Sequence, residues 1–306
     1  MIAAIGESLI DVITEDGINK KETVGGCPFN VALAASRLGA SITYFGKISD
    51  DAYGRMILEK MIDNEMLFDP ALCGAKERTL CSKALLDEKG NANYVFDYEG
   101  TAACSMTEDE LYSVLCNQTD VDMAFLGSIS LVMEPGCDAI VPAIYRMKSR
   151  PKMFLDPNVR PSLISNPEAY RRFILGLAGG CDVVKVSEDD IEFLFPGVDM
   201  EVAEKRFAGL CEWNLIVTRG SRGSTWYTKF FKVDCPVFSV ERIVDTIGCG
   251  DAFDAAVMTC LQSRGLIEDV ADLDRKTIED ILRYASKAAA LNCTKEGCDP
   301  PYKDEM

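Results

Sequence analysis

Asp251 is the residue in this sequence best placed to do chemistry. It lies in the stretch Asp245-Thr246-Ile247-Gly248-Cys249-Gly250-Asp251-Ala252-Phe253. Two glycines flank one residue, the aspartate follows, and an apolar-periodic run free of Pro and Gly begins, so a helix is predicted over 252–263. A turn that opens directly onto a helix N-terminus presents backbone N–H groups with no partner inside the helix, together with the positive end of the helix dipole. Glycines let that backbone come close to a ligand. The combination is an anion hole, suited to charge developing on a phosphoryl group. A carboxylate at the same spot can take the proton of an alcohol as that alcohol attacks. Taken alone, Gly-x-Gly-Asp is also the sequence of a helix capped by Asp after a glycine turn, so the surroundings decide.

Those surroundings read as strands alternating with helices. Residues 2–10 are predicted as one buried strand ending at Asp11, where an open sheet presents polar side chains to ligands. Gly6 begins no Gly-x-Gly-x-x-Gly turn, so the dinucleotide fingerprint is missing. Gly25-Gly26-Cys27-Pro28-Phe29-Asn30 opens a helix through about residue 38, with Pro28 in its first turn and Gly39 as its C-cap. The glycine pair permits close backbone approach, and Asn30 offers a donor and an acceptor. A strand at 41–47 and a helix at 52–65 follow. Residues 80–86 and 93–98, flanking Asp87-Glu88-Lys89-Gly90-Asn91, then read as a hairpin that interrupts the rhythm. With 13–23 it is expected to form a small lid, and the aromatics of its second strand give that lid an apolar face.

From residue 107 the alternation resumes. Helices at 107–116, 137–148, 168–178 and 200–210 alternate with strands at 123–126, 152–155, 181–186 and 214–218. A second hairpin at 224–233 and helices at 252–263 and 277–291 close the chain. This βαβα order predicts a mostly parallel, doubly wound sheet with helices on both faces, and functional loops beyond the strand C-termini. Polar residues stand after five strands: Asp11, Gly127-Ser128, the loop 156–160, the loop 187–190 and the loop 219–223.

Composition narrows the chemistry. The 306 residues are 48% hydrophobic, enough for a substantial core, and carry a formal net charge of −17. That charge argues against a general nucleic-acid binder and fits a soluble cytoplasmic protein. Any polyanion site must therefore make its own positive potential. There is no histidine, which excludes Ser-His-Asp and Cys-His catalysis and mixed Cys/His zinc sites. The 13 cysteines are scattered without a Cys-x-x-Cys pair and read as reduced, small apolar side chains. No signal peptide and no apolar stretch of membrane-spanning length is expected.

With these residues in view, the chain resembles the PfkB, or ribokinase-like, carbohydrate kinases over essentially its whole length. Gly25-Gly26-Cys27-Pro28-Phe29-Asn30-Val31-Ala32 looks like the family's first signature, and Asp245 to Asp251 looks like its second, Asp-Thr-x-Gly-x-Gly-Asp. The resemblance implies a single ribokinase-like domain over 1–306 with a small β-sheet lid formed by about 12–24 and 76–102. It implies transfer of the ATP γ-phosphate to a sugar hydroxyl. On that likeness Asp251 is the base, and Gly248, Cys249 and Gly250 supply the anion hole. Asp11, Gly25, Gly26 and Asn30 match sugar-binding positions, Phe96 and Tyr98 belong to the lid over the sugar, and Arg160 serves the phosphates or the sugar. Ser187, Thr218, Gly220 and Gly223, with Gly248 and Gly250, match nucleotide contacts. Asn292, Lys295 and Gly297, with Asp245 and Ile247, match a loop that holds a monovalent cation, K⁺ as activator, mostly through backbone carbonyls. A homodimer through the lid is a further implication.

Within the family, Gly6-Glu7-Ser8-Leu9-Ile10-Asp11, Gly127-Ser128-Ile129-Ser130-Leu131 and Asp156-Pro157-Asn158-Val159-Arg160-Pro161 are similar to fructokinases. Two positions depart from the family pattern. Its Asn-x-x-Glu motif is here Ser187-x-x-Asp190, whose carboxylate is expected to serve hydrated Mg²⁺ through water. Cys249 stands where Ala is usual, and only its backbone is needed. The alternatives are 2-keto-3-deoxygluconate kinase, ribokinase, or a non-catalytic sugar-binding regulator of the same fold. A nicotinamide-dependent dehydrogenase is disfavoured by the missing glycine-rich first turn, and the absence of Gly-x-x-x-x-Gly-Lys-Ser/Thr excludes a Walker-type kinase.

Overall fold

The computed structural model describes residues 1–15, 18–86, 92–118, 120–211 and 214–306. In chain order the first strands are β1 (Ile2–Ile5), β2 (Leu9–Glu15), β3 (Ile18–Gly25), β4 (Ile42–Phe45), β5 (Ile48–Ser49), β6 (Leu67–Phe68) and β7 (Cys73–Ala75). Then come β8 (Cys81–Leu86), β9 (Ala92–Asp97), β10 (Met123–Gly127), β11 (Lys152–Asp156) and β12 (Val183–Ser187). The last are β13 (Leu215–Thr218), β14 (Ser224–Tyr227) and β15 (Lys232–Cys235). Nine of them form one sheet in the order β15-β14-β13-β12-β11-β10-β1-β4-β6, parallel except for β14, which runs antiparallel to both neighbours. A separate four-stranded sheet has the order β3-β2-β8-β9, and β5 pairs with β7.

Helices cover both faces of the large sheet. Alternation within strands sends Ile2, Ala4, Met123 and Phe125 to one side and Ala3, Ile5, Ala124 and Leu126 to the other. The first side packs against α1 (Cys27–Arg37) and α2 (Ala52–Asp63), and against the later helices α8 (Cys249–Ser263) and α9 (Arg275–Asn292). The second packs against α3 (Glu108–Cys116), α4 (Cys137–Arg146), α5 (Pro167–Ala178) and α7 (Met200–Leu210). Because both faces are covered, the central strands are mostly apolar rather than alternating, with Lys185 in β12 an exception. No helix among the described residues is long and apolar enough to cross a membrane.

The chain departs from the sequence expectation at its start. Residues 2–10 are not one strand: β1 ends at Ile5 and Leu9 begins β2 in the small sheet. Asp11 therefore lies inside the small sheet, paired with Thr23 and Ser82, and not at the end of a main-sheet strand. The break is caused by Glu7. Its buried carboxylate accepts from the Cys27 N–H at 3.2 Å and the Ser130 N–H at 3.2 Å, and bonds the Ser130 hydroxyl. One side chain thus ties the β1–β2 turn to the N-terminus of α1 and to the segment after β10. A second departure is α6 (Glu188–Leu194), a helix where the sequence predicts a loop at 187–190. The hairpin expected at 80–98 is present as β8 and β9, and its turn at 87–91 lies outside the described residues.

Burial pushes the Glu7 carboxyl up to about 7 from an ordinary 4.5, against the Ser130 and Cys27 hydrogen bonds that favour the charged form. A raised acid holds its proton in the folded chain while the unfolded chain loses it. The associated stability is complete below pH 4.5 and falls as pH rises through about 7. Replacing Glu7 by Gln removes this titration. The stability of the native chain relative to Glu7→Gln should therefore drop by about 2 kcal/mol between pH 5 and pH 8. Urea denaturation at the two pH values checks this, and a gap that stays constant would refute the assignment.

Candidate active site

The turn before α8 is built by its own first residue. Asp245 accepts from the Thr246 N–H at 2.6 Å, the Ile247 N–H at 3.0 Å and the Gly297 N–H at 2.9 Å. Partial burial raises its carboxyl, but these three donors outweigh that and hold it below the usual range. Gly248 follows in the left-handed region at φ 75°. A methyl there would stand 2.5 Å from the Cys298 sulfur, so both conformation and space demand glycine. The Cys249 N–H turns back to the Thr246 carbonyl at 3.3 Å. In this geometry the first-turn N–H groups of Gly250 and Asp251 are the ones presented outward.

Asp251 sits on that first turn, 6% exposed, and accepts from the Asn30 side-chain amide at 2.8 Å. Burial raises its carboxyl. The Asn30 and Cys27 hydrogen bonds and the Lys185 charge pull it down, and Asp156 pushes it up again. Asn30 is placed by the start of α1, where Gly26 takes φ 107° and a methyl would meet the Glu7 carbonyl at 2.6 Å. The Asn30 Oδ1 is buried without a partner, an acceptor aimed into the site.

The small sheet supplies the opposite wall. Thr23, Asp11, Ser82 and Phe96 are aligned across β3, β2, β8 and β9, so their side chains share one face. Gly25 lies against the Asp11 carboxylate, with room for no Cβ: an added carbon would stand 2.6 Å from Oδ2. Burial raises the Asp11 carboxyl, and the Ser82 hydrogen bond with the Arg160 and Lys60 charges lowers it. Phe96 and Tyr98 pack against Leu9, Leu80, Ile129 and Met133 at the base of this wall. Arg160 bonds the Asn158 and Val159 carbonyls of its own loop at 3.2 Å each.

On the far side of the anion-hole turn, Ser187 caps α6 in a reciprocal box with Asp190. Asp190 is 5% exposed and spends both oxygens: one accepts from Val159 N–H at 2.8 Å, the other from the Ser187 N–H at 2.7 Å and hydroxyl at 2.6 Å. Its principal work is to fasten the loop after β11 to the end of β12. The Ser-x-x-Asp spacing ahead of Ile191 and Leu194 was the signal for α6. Thr218 pairs with Ser187 and Ser224 at the strand ends. The turn from Gly220 to Gly223 closes through the Gly223 N–H to the Gly220 carbonyl at 3.1 Å.

Hydrogen bonds bring together residues of the expected cation loop, Asn292 with Ile247 and Gly297 with Asp245. Asn292, wholly buried, donates to the Ile247 carbonyl at 2.8 Å, and its Oδ1 has no partner. The Cys293 carbonyl accepts from the Val244 and Asp245 N–H groups. Lys295 turns its ammonium to Glu305 at 3.2 Å, leaving its backbone to the loop. An orphaned amide oxygen beside backbone carbonyls suits a monovalent cation. Among the described residues no group of three or more acidic or cysteine side chains is arranged to hold a metal.

Sequence reasoning missed the groups beneath the turn. Lys185 of β12 lies 2.9 Å from Asp156 of β11 and 3.5 Å from Asp254 of α8, all three buried. A lysine inside a strand of Val residues and an aspartate inside an apolar helix were the available signals.

A family model described as pfkB family carbohydrate kinase matches residues 1–305. The chain is 32% identical to fructokinase-1 of Oryza sativa subsp. japonica over 317 residues, covering 100% of this chain and 95% of that protein. Among solved structures it is similar to a fructokinase with bound ATP from Xylella fastidiosa, with a TM-score of 0.86, 22% identity, and 97% and 93% of the two chains covered. It is also similar to a double mutant of the fructokinase from Vibrio cholerae O395 in a form with fructose, ADP and potassium bound. There the TM-score is 0.82, the identity 24%, and the coverage 97% and 93%.

Gly248→Ala should destabilise the fold by roughly 2 kcal/mol or more, from the left-handed backbone together with the clash. A urea midpoint within error of the native chain would show that the turn tolerates a side chain.

Proposed function

Because the chain belongs to the pfkB family of carbohydrate kinases, we propose that it is a fructokinase, transferring the γ-phosphate of ATP to a hydroxyl of fructose. The observation that carries this reading is Asp251 on the first turn of α8, with the Asp11 carboxyl of the small sheet near enough for the two charges to act on each other. A sugar hydroxyl seated there loses its proton to Asp251 as its oxygen attacks the γ-phosphorus in line. The Gly250 and Asp251 N–H groups and the helix dipole stabilise the charge on the transferring group. Asn30 holds the Asp251 carboxylate by its amide and offers its free oxygen to a sugar hydroxyl. Asp11, Gly25, Gly26, Phe96, Tyr98 and Arg160 complete the sugar side of the cleft. Fructose as the substrate is supported by the relatives named above.

Ser187, Thr218, Gly220 and Gly223 lie on the nucleotide side, at the ends of β12 and β13. Mg²⁺ enters this reading with the ATP phosphates, because Asp190 has its oxygens engaged by Ser187 and Val159. It supplies positive charge to the phosphates. A potassium ion in the loop of Asp245, Ile247, Asn292, Lys295 and Gly297 would add charge beside the anion hole. The small sheet acts as a lid that closes on the sugar and excludes water. The half-exposed Val95 on β9 gives its outer face an apolar element for pairing in a homodimer. A cytoplasmic location goes with dependence on ATP.

The test is ADP release with ATP and Mg²⁺ across fructose, ribose, 2-keto-3-deoxygluconate and glucose. Fructose should give the highest kcat/KM. Asp251→Asn should lower kcat by about 10²–10⁴-fold while fructose still raises its melting temperature. Native turnover in that variant would remove the base. Turnover should also fall several-fold when K⁺ is replaced by tetramethylammonium at equal ionic strength, and equal rates would remove the cation from the mechanism.

A further inference from the structure

One turn into α8, directly behind the proposed base, lies a carboxyl group for which the mechanism above has no use. Asp254 is 0% exposed, and neither of its oxygens receives a hydrogen bond from any donor. Its polar neighbours are the Lys185 ammonium, 3.5 Å away, and the Asp156 carboxylate, whose Oδ2 stands 2.9 Å from the same ammonium. Asp156 is better served: Lys185 stands 2.9 Å from its Oδ2, and the Asn158 N–H donates to Oδ1 at 3.1 Å. Two ionised carboxyls and one ammonium would leave an uncompensated negative charge in the dry centre of the protein, at prohibitive cost. Two carboxyls that share one buried ammonium lose the uncompensated charge when one of them carries a proton, and that proton gives the pair a donor. The poorly solvated member of the pair, Asp254, is the one that keeps it.

The position of Lys185 shows what this arrangement is for. A carbon built on Gly250 would stand 3.1 Å from the Lys185 Nζ, so the ammonium lies immediately beneath the anion-hole turn. There it faces the positive end of α8, which repels it. Asp156 holds it in place, and with one donor on each oxygen its carboxylate still has lone pairs for a further donor. We propose that Asp254 is a positioning residue of the phosphoryl-transfer site: a neutral carboxylic acid that hydrogen-bonds to Asp156 and so fixes the Asp156–Lys185 pair beneath Gly250. The proposal rests on the kinase reading of the site.

Its consequence is electrostatic. Lys185 favours the ionised form of Asp251, and Asp156 opposes it. An ionised Asp254 would add a second opposing charge from the same helix and cancel the ammonium behind the anion hole. A neutral Asp254 leaves the ammonium effective. The charged and titratable groups around the cluster are Lys185 on β12, Asp156 on β11, Asp251 on α8, Asp190 on α6 and Cys27 on α1. Burial acts to keep the proton on Asp254, the Lys185 ammonium opposes it, and repulsion from Asp156 and Asp251 adds to burial.

The experiment compares the full-length chain with Asp254→Asn, a neutral donor of the same shape, and Asp254→Leu, which has no donor. The infrared difference spectrum between the native chain and Asp254→Asn at pH 7 should show the loss of one protonated-carboxyl C=O band. Asp254→Asn should keep kcat within about threefold. Asp254→Leu should lower it by about 10–100-fold through misplacement of the pair. KM for ATP and for fructose should stay within about twofold, and the acid limb of the kcat profile should move to higher pH. Absence of the carboxyl band, or a fall in Asp254→Asn as large as in Asp254→Leu, overturns the proposal. If Asp254→Leu does not fold, the band together with retained kcat in Asp254→Asn decides the matter. A native chain that turns over no sugar but shows the band defeats the kinase reading and leaves the neutral donor standing.

Discussion

The rest of this structure depends on one electrostatic balance: the positive end of α8 set against a ring of buried carboxyl groups. Asp251, Asp254, Asp156 and Asp190 are each at most 6% exposed, and all gather where the strand ends meet α8. In a chain of net charge −17 such a cluster would repel a polyphosphate if every member were ionised and unpaired. Three of them are answered by a specific donor, and Asp254 is the exception. Asn30 serves Asp251, Lys185 serves Asp156, and Ser187 with the Val159 N–H serves Asp190. What remains for an anion is therefore the N–H groups of the first turn and the positive end of the helix dipole.

The fold exists to hold those donors in register. Lys185 and Asp156 come from adjacent parallel strands, and Asn30 comes from the helix that packs beside α8. The glycines at 25, 26 and 248 mark where backbone must pass against Asp11, the Glu7 carbonyl and Cys298. Glu7 links the two sheets by bonding across to Cys27 and Ser130, so the wall that carries Asp11 is tied to the turn that opens α1. Among the described residues no disulfide joins any of the 13 cysteines. Those near the site behave as protonated packing groups: burial raises the Cys27 and Cys298 thiols, and it pushes Cys249 up to about 12.

Much of this was legible in the sequence, for identifiable reasons. The alternation from residue 107 onward appeared because parallel strands buried on both faces are short apolar runs, and their helices carry clear periodicity. The two glycine-bearing signatures were legible because close backbone approach leaves no choice of residue. The split between β1 and β2 was not: Gly6-Glu7-Ser8 reads as a polar interruption of one strand, and only long-range bonds to Ser130 make it a corner between sheets. α6 was missed although its capping box was in plain view, because the same residues were read as a metal motif. The Lys185–Asp156–Asp254 cluster was invisible because its members are 29 and 69 residues apart from Lys185 and become neighbours only through the parallel sheet and α8.

The most direct test of the central claim, that this turn transfers a phosphoryl group from ATP to a sugar hydroxyl and not to water, is phosphorus NMR of the enzyme with ATP, Mg²⁺, K⁺ and fructose. The account predicts one equivalent of sugar phosphomonoester for each ATP consumed, with no accumulation of orthophosphate while fructose is present. Orthophosphate as the main product, or no ATP consumption while fructose binds, would contradict it.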